Sequence, residues 1–196
     1  MPPAIEDKKP VPTQADYELA TVYFQILVEI AAQRGRTTYS ALVDVAKARC
    51  PENEVVQNAI PVSTGRRLDI VRLFTKAQTL PDLSSIVVSK QSGECGIGFT
   101  RSFDPVAARD EVYNYDWSKV KLEFAGYVAE GRKSVKPAKV KKLTYEQAAK
   151  QMFDHYSSKK ADLSPEIRRN RDSIIAMIIE GIDVEDAFRE VLRIDA

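Results

Sequence analysis

Apolar residues recur with helical spacing between Gln14 and Arg34, at Tyr17, Ala20, Phe24, Leu27 and Ala31, with Tyr23, Ile26 and Ile30 widening the stripe before Gly35. That period predicts an amphipathic helix with the glycine as its stop. Arg36, Thr37 and Thr38 are too polar and β-branched to prolong it. Ser40 is expected to cap a second, shorter helix bearing Leu42, Val43, Val45 and Ala46, closed by Pro51. After a loop containing Pro61, the run Ser63-Thr64-Gly65-Arg66-Arg67 opens a third helix. Its expected buried stripe is Ile70, Val71, Phe74 and Ala77, with Gly65, Asp69, Arg72 and Lys76 on the opposite face and Pro81 as its end.

The pattern then changes period. Leu83 to Lys90 is a β-branched run leading through Gln91-Ser92-Gly93 into Gly96-Ile97-Gly98-Phe99, which predicts a β-hairpin with a glycine-softened return. Asp104 and Pro105 can start a further helix through Val112 and Tyr115, and Trp117 is expected to lie as an aromatic lid on the first core. Three helices followed by a hairpin is the order of a winged helix. Beyond residue 143, Thr144 can cap a helix with Ala148, Met152 and Phe153. Ser164-Pro165-Glu166 starts another that carries Ile167, Ile174, Ile175, Ile178 and Ile179 to Gly181, and a last one bears Val184, Ala187, Phe188 and Leu192.

The expected fold is therefore mainly α with a small β-hairpin, a winged helix-turn-helix domain followed by a C-terminal helical segment. Its divisions are a flexible arm over 1–13, the winged-helix domain over 14–128, a basic linker over 129–143 and the helical segment over 144–196. No internal repeat is visible.

Charge sharpens this division. The chain of 196 residues carries a formal net charge of +1, but unevenly. Residues 1–130 hold 15 basic and 17 acidic groups, 131–171 hold 12 and 4, and 172–196 hold 2 and 7. A polyanion would be drawn to the stretch after Glu130, whereas the acidic end would be repelled by a polyanion or fold back on the basic stretch. Arg132, Lys133, Lys136, Lys139, Lys141 and Lys142, with Pro137 and no acid among them, are expected to keep that stretch extended.

The most apolar segment, Tyr17 to Ala32, is interrupted by Glu18, Gln25 and Glu29, so no membrane span is expected. The N-terminus lacks the order of a secretory signal, and a cytoplasmic location is expected. Cys50 and Cys95 read as small structural residues rather than a bridge.

Residues 40–80 offer what a helix in a DNA groove requires: a polar face, cations at its edges and a preceding helix to prop it. Arg66 and Arg67, at the start of the third helix, are the expected base readers, since arginine pairs in a bidentate way with guanine. Arg72 and Lys76 would hold phosphates, and Arg36 and Lys90 would clamp the backbone from the turn and the hairpin. Solvated charge on a surface helix is the competing reading.

Catalytic patterns are incomplete. Pro81-Asp82 with Val88-Ser89-Lys90 lacks the second carboxylate of a metal-dependent nuclease motif, and no glycine-rich loop ends in Gly-Lys-Ser/Thr. No histidine or cysteine pair has zinc spacing, so no metal and no cofactor are expected. Cys95 has no identifiable base, and His155 reads as solvated or packed on its helix.

Thr37-Thr38-Tyr39-Ser40-Ala41-Leu42, then Gly65-Arg66-Arg67-Leu68, then Leu80 to Gly93, follow an order that resembles the winged-helix domain of alkylguanine-DNA alkyltransferases and alkyltransferase-like proteins. They also resemble a set of uncharacterised bacterial winged-helix proteins whose strand ends Val-Val-x-Lys-x-x-Gly-x-x-Gly-x-Gly-Phe. The likeness covers about residues 20–100. It implies that Tyr39, beside Thr38, contacts a phosphate and that Arg66 or Arg67 enters the base stack. Where the alkyltransferases keep a Pro-Cys-His-Arg acceptor, this chain has Pro81-Asp82-Leu83-Ser84, which excludes alkyl transfer there.

The expected function is non-catalytic binding of double-stranded DNA through Arg36, Thr38, Tyr39, Arg66, Arg67, Arg72, Lys76, Lys90, Lys133 and Lys136. The resemblance implies a regulator or accessory factor of a bacterial or phage DNA-processing system. The alternative is an adaptor in which the winged helix and the acidic C-terminal helices dock a protein partner, or self-associate through the stripe of Ile174, Ile175, Ile178 and Phe188. An enzyme is not expected.

Overall fold

The computed structural model describes residues 11–95, 103–135, 143–159 and 163–194. It is mainly helical, with a two-stranded parallel sheet. In chain order the elements are α1 (Gln14–Ala32), β1 (Thr37–Thr38), α2 (Tyr39–Arg49), α3 (Glu54–Gln57), α4 (Thr64–Ala77), β2 (Val87–Val88), α5 (Pro105–Asn114) and α6 (Lys121–Ser134). A second group follows: α7 (Tyr145–Lys159), α8 (Glu166–Arg169), α9 (Arg171–Ile179) and α10 (Val184–Ile194).

Local chemistry sets the helix ends. Thr13 and Asp16 form a reciprocal capping box on α1: Asp16 N–H donates to Thr13 Oγ1 at 3.1 Å, and Thr13 N–H donates to Asp16 Oδ2 at 2.9 Å. At the other end, Arg34 takes the left-handed conformation (φ 52°), and Gly35 N–H returns to the Ile30 carbonyl at 2.9 Å. The expected glycine stop is thus one residue late. Gly35 packs closely instead, since a Cβ there would stand 3.3 Å from Ile30 Cγ2.

The cap of α2 is Thr38, whose Oγ1 accepts from Ala41 N–H, rather than Ser40. Helix α4 ends through Thr79 (φ 55°), before Pro81 is reached, and Leu80 N–H bonds back to the Thr75 carbonyl. Asp104 caps α5, with Pro105 at its first position, as expected.

The first core gathers α1, α2, α4, α5 and α6. Phe24 stacks on Phe124 with ring centroids 4.1 Å apart and meets Phe74 and Trp117 edge-on at 6.1 and 6.2 Å. Trp117 closes this core as the sequence predicts, its indole N–H donating to the Val112 carbonyl. Ile70, Val71 and Phe74 are buried, whereas Ala77 is exposed.

Two expectations change here. Val87–Val88 pairs in parallel with Thr37–Thr38. A tight turn follows, in which Ser89 N–H donates to the Glu94 carbonyl and Gly93 (φ 67°) to that of Ser89. The return run 96–99 lies outside the described residues. Helix α6 continues through Glu130 to Ser134, so residues 129–134 of the expected linker are helical. Arg132 and Lys133 fall in its last turn, where cations suit the helix dipole.

The second group has its own core, built on Ala148, Met152, Ile167, Ile174, Ile175, Met177, Ile178, Phe188 and Val191. Thr144 and Gln147 form the expected cap of α7. The helix drawn from Ser164 to Gly181 breaks near Asn170 into α8 and α9, and Gly181 (φ 89°) ends α9. The stripe of Ile174, Ile175, Ile178 and Phe188, one expected seam for self-association, is spent inside this core. Ile60 and Val62, from the loop before α4, pack against it.

Candidate nucleic-acid interface

The start of α4 is sealed. Arg66 is 5% exposed and Arg67 2%, so the expectation that these two guanidinium groups face solvent as base readers is wrong. Carboxylates from both halves of the chain surround them. Arg66 Nη2 donates to Asp16 Oδ2 at 3.3 Å and to the Val11 carbonyl at 3.2 Å, and Nη1 lies 3.9 Å from Asp186 Oδ2. Arg67 Nη2 donates to Glu180 Oε2 at 3.1 Å and Nη1 to the Ser63 carbonyl. Its Nε is 2.9 Å from Asp16 Oδ1, although the N–H is not aligned as a hydrogen bond.

Ser63 Oγ also donates to Glu180 Oε2, at 3.0 Å. Burial pushes the Glu180 carboxyl above its ordinary pKa, outweighing the opposing pull of Arg67 and Ser63. Burial would lower the Arg67 pKa, but Asp16 and Glu180 together raise it. Gly65 is part of the seal, since a Cβ there would stand 2.9 Å from Glu190 Oε1. The first turn of α4 therefore meets the second helical group, while Lys76 further along the helix stays exposed.

Sequence reasoning missed Asp16 and Glu180. Thr13-x-x-Asp16 has capping-box spacing and signalled a cap. Nothing local marks Glu180, whose partner lies 113 residues away.

The other expected contacts divide. Arg72 is held by Asp82 (3.2 Å) and lies over the Phe103 ring. Lys76 is exposed on the last turn of α4. Lys133 is exposed but pairs with Glu130 at 2.6 Å, and Lys136 lies outside the described residues. Arg36, Thr38, Tyr39 and Lys90 come together at one corner. Arg36 Nη1 donates to the Gly93 carbonyl at 3.3 Å, tying the approach to β1 onto the turn that carries Lys90. Thr38 caps α2 at the same corner. Arg36 and Lys90 are exposed, and Thr38 and Tyr39 are half-buried. Glu94, the nearby acid, is engaged by Arg109 at 3.0 Å, which holds its carboxyl below the usual range.

Cys95 is buried and donates to the Ser85 carbonyl at 3.1 Å; burial raises its thiol pKa, the opposite of what a nucleophile needs. His155 packs its ring 4.7 Å from that of Phe188, and burial, with Lys159, lowers its pKa. Among the described residues no cluster of three or more His, Cys, Asp or Glu is placed to hold a metal, and no helix is long and apolar enough to cross a membrane. No family model, curated protein or solved structure matches the chain.

Proposed function

We propose that this chain is a non-catalytic DNA-binding protein of winged-helix type that holds the duplex backbone with the corner of β1, the start of α2 and the 89–94 turn. The observation that carries this reading is the Arg36–Gly93 hydrogen bond, which joins segments 57 residues apart and gathers two exposed cations beside a helix N-terminus. Cations and the first N–H groups of a helix are what phosphate oxygens seek. Service to a bacterial or phage DNA-processing system rests on the resemblance of residues 37–42, 65–68 and 80–93 alone. The stripe of Ile174, Ile175, Ile178 and Phe188, offered for self-association, lies within the second core.

The test is anisotropy of a labelled generic duplex titrated with salt. Affinity is expected to fall steeply with ionic strength. Arg36→Ala with Lys90→Ala should reduce the slope of log K against log salt by about 2, since each neutralised phosphate contributes about 0.9. Binding that ignores salt, no binding, or a slope unchanged in the double variant overturns the proposal.

A further inference from the structure

The two cores meet through a junction of mixed character. The first half of the chain contributes Ile60 and Val62 as apolar contacts, and around them stand Ser63, Gly65, Arg66 and Arg67. The C-terminal group brings three acids to this point: Glu180 onto Ser63 and Arg67, Asp186 beside Arg66, and Glu190 over Gly65. Each half has a hydrophobic cluster of its own, and among the described residues of the first half Ile60 and Val62 are the apolar ones that pack against the second cluster. Polar junctions between separately cored units are the ones that open.

The acids also occupy a particular place. They lie on the first turn of α4, where arginine and helix N–H groups would meet phosphate if the surface were bare. Asp16, on α1, faces both arginines but brings one negative charge against their two positive ones, and the C-terminal acids supply the remainder.

We infer that the C-terminal helical group is an autoinhibitory cap whose carboxylates stand in for phosphate on α4, so that undocking it exposes Arg66 and Arg67 as a second duplex-binding surface. This inference rests on the proposed DNA binding but concerns a different face from the β1–α2 corner. In the docked state the duplex can reach the corner alone; in the undocked state α4 adds its own cations.

The experiment uses the full chain. Glu180→Lys places a cation against Arg67, and Gly65→Gln adds an uncharged side chain whose Cβ alone would stand 2.9 Å from Glu190 Oε1. The glutamine also suits a helix better than glycine does, so the two variants open the junction by unrelated means. Hydrogen exchange of Ile60 to Arg67 reads opening, while protected amides in α1 report that the first core is intact.

Both variants are expected to exchange faster over 60–67, to bind a generic duplex about tenfold or more tightly, and to steepen the salt slope by up to about 2. Adding Arg66→Ala and Arg67→Ala to either should remove that gain. The inference is overturned if neither variant speeds exchange over 60–67 with α1 still protected. It is equally overturned if opened variants bind no better than the parent, or if their gain survives loss of both arginines. Should opened variants gain while the corner substitutions leave the parent's binding unchanged, the corner assignment falls and the cap stands.

Discussion

Replacing Asp16 by alanine tests the arrangement around α4 at its pivot. Asp16 is fully buried, accepts from Thr13 N–H in the α1 capping box and faces Arg66 and Arg67 at 3.3 and 2.9 Å. Loss of the cap arm costs about 1 kcal/mol. Removing one partner from a buried ion pair strands the other and costs about 3–5 kcal/mol. Arg67 keeps Glu180 and Arg66 keeps the Val11 carbonyl, so the expected loss lies below the full sum of about 4–6 kcal/mol yet is still a large share of the roughly 5–15 kcal/mol that holds an ordinary domain folded.

Urea denaturation followed by circular dichroism measures this loss. Asp16→Asn, which can keep an oxygen for Thr13, should lose mainly the charge part. A double-mutant cycle with Arg67→Met should give a coupling above about 1.5 kcal/mol, in the upper half of the range for contacting residues. If the two single effects add to within about 0.5 kcal/mol, Asp16 and Arg67 do not act as a pair and the reasoning fails.

Helix α6 offers a matched contrast. Gly126 is exposed, and a Cβ added there would meet nothing within 4 Å, so Gly126→Ala should stabilise by about 0.5–1 kcal/mol. Gly131→Ala would drive its Cβ into the Tyr17 ring and should destabilise by about 1–3 kcal/mol; thermal melts of the two variants should shift in opposite directions. Cys95, buried and with a raised thiol pKa, should be alkylated far more slowly than half-buried Cys50, as mass spectrometry of a labelling time course would show. Because Glu180 binds its proton more tightly when folded than the ordinary value of 4.5, its contribution to stability should rise as pH falls through the window between its raised pKa and 4.5, and decline as pH rises through it. Glu180→Gln should abolish that part of the dependence, read as urea midpoints measured from neutral pH down to 4.5.

Helix positions are legible because they depend on local period: α1, α2, α4 and α5 lie where their apolar stripes put them, although α2 is capped by Thr38 and not by Ser40. Their stops are less so, since α1 and α4 end on left-handed Arg34 and Thr79 rather than at the expected Gly35 and Pro81. Two-residue strands carry no usable alternation, so the parallel pairing of Thr37–Thr38 with Val87–Val88 leaves no trace in the pattern. The stripe from Ile174 to Phe188 is plainly apolar, but spacing does not distinguish burial in its own core from burial in a partner. Arg66 and Arg67 mislead most. Arginine is seldom buried unless paired, and their partners stand 50 residues upstream and 113 downstream, beyond any local pattern.

Trp117, the chain's one tryptophan, lies in the first core against Phe24. Its emission is therefore a private reporter of that half, silent about the cluster around Ile174 and Phe188. A fluorescence trace and a helicity trace superimpose only where both halves melt as one, and any gap between them measures how loosely the two are joined.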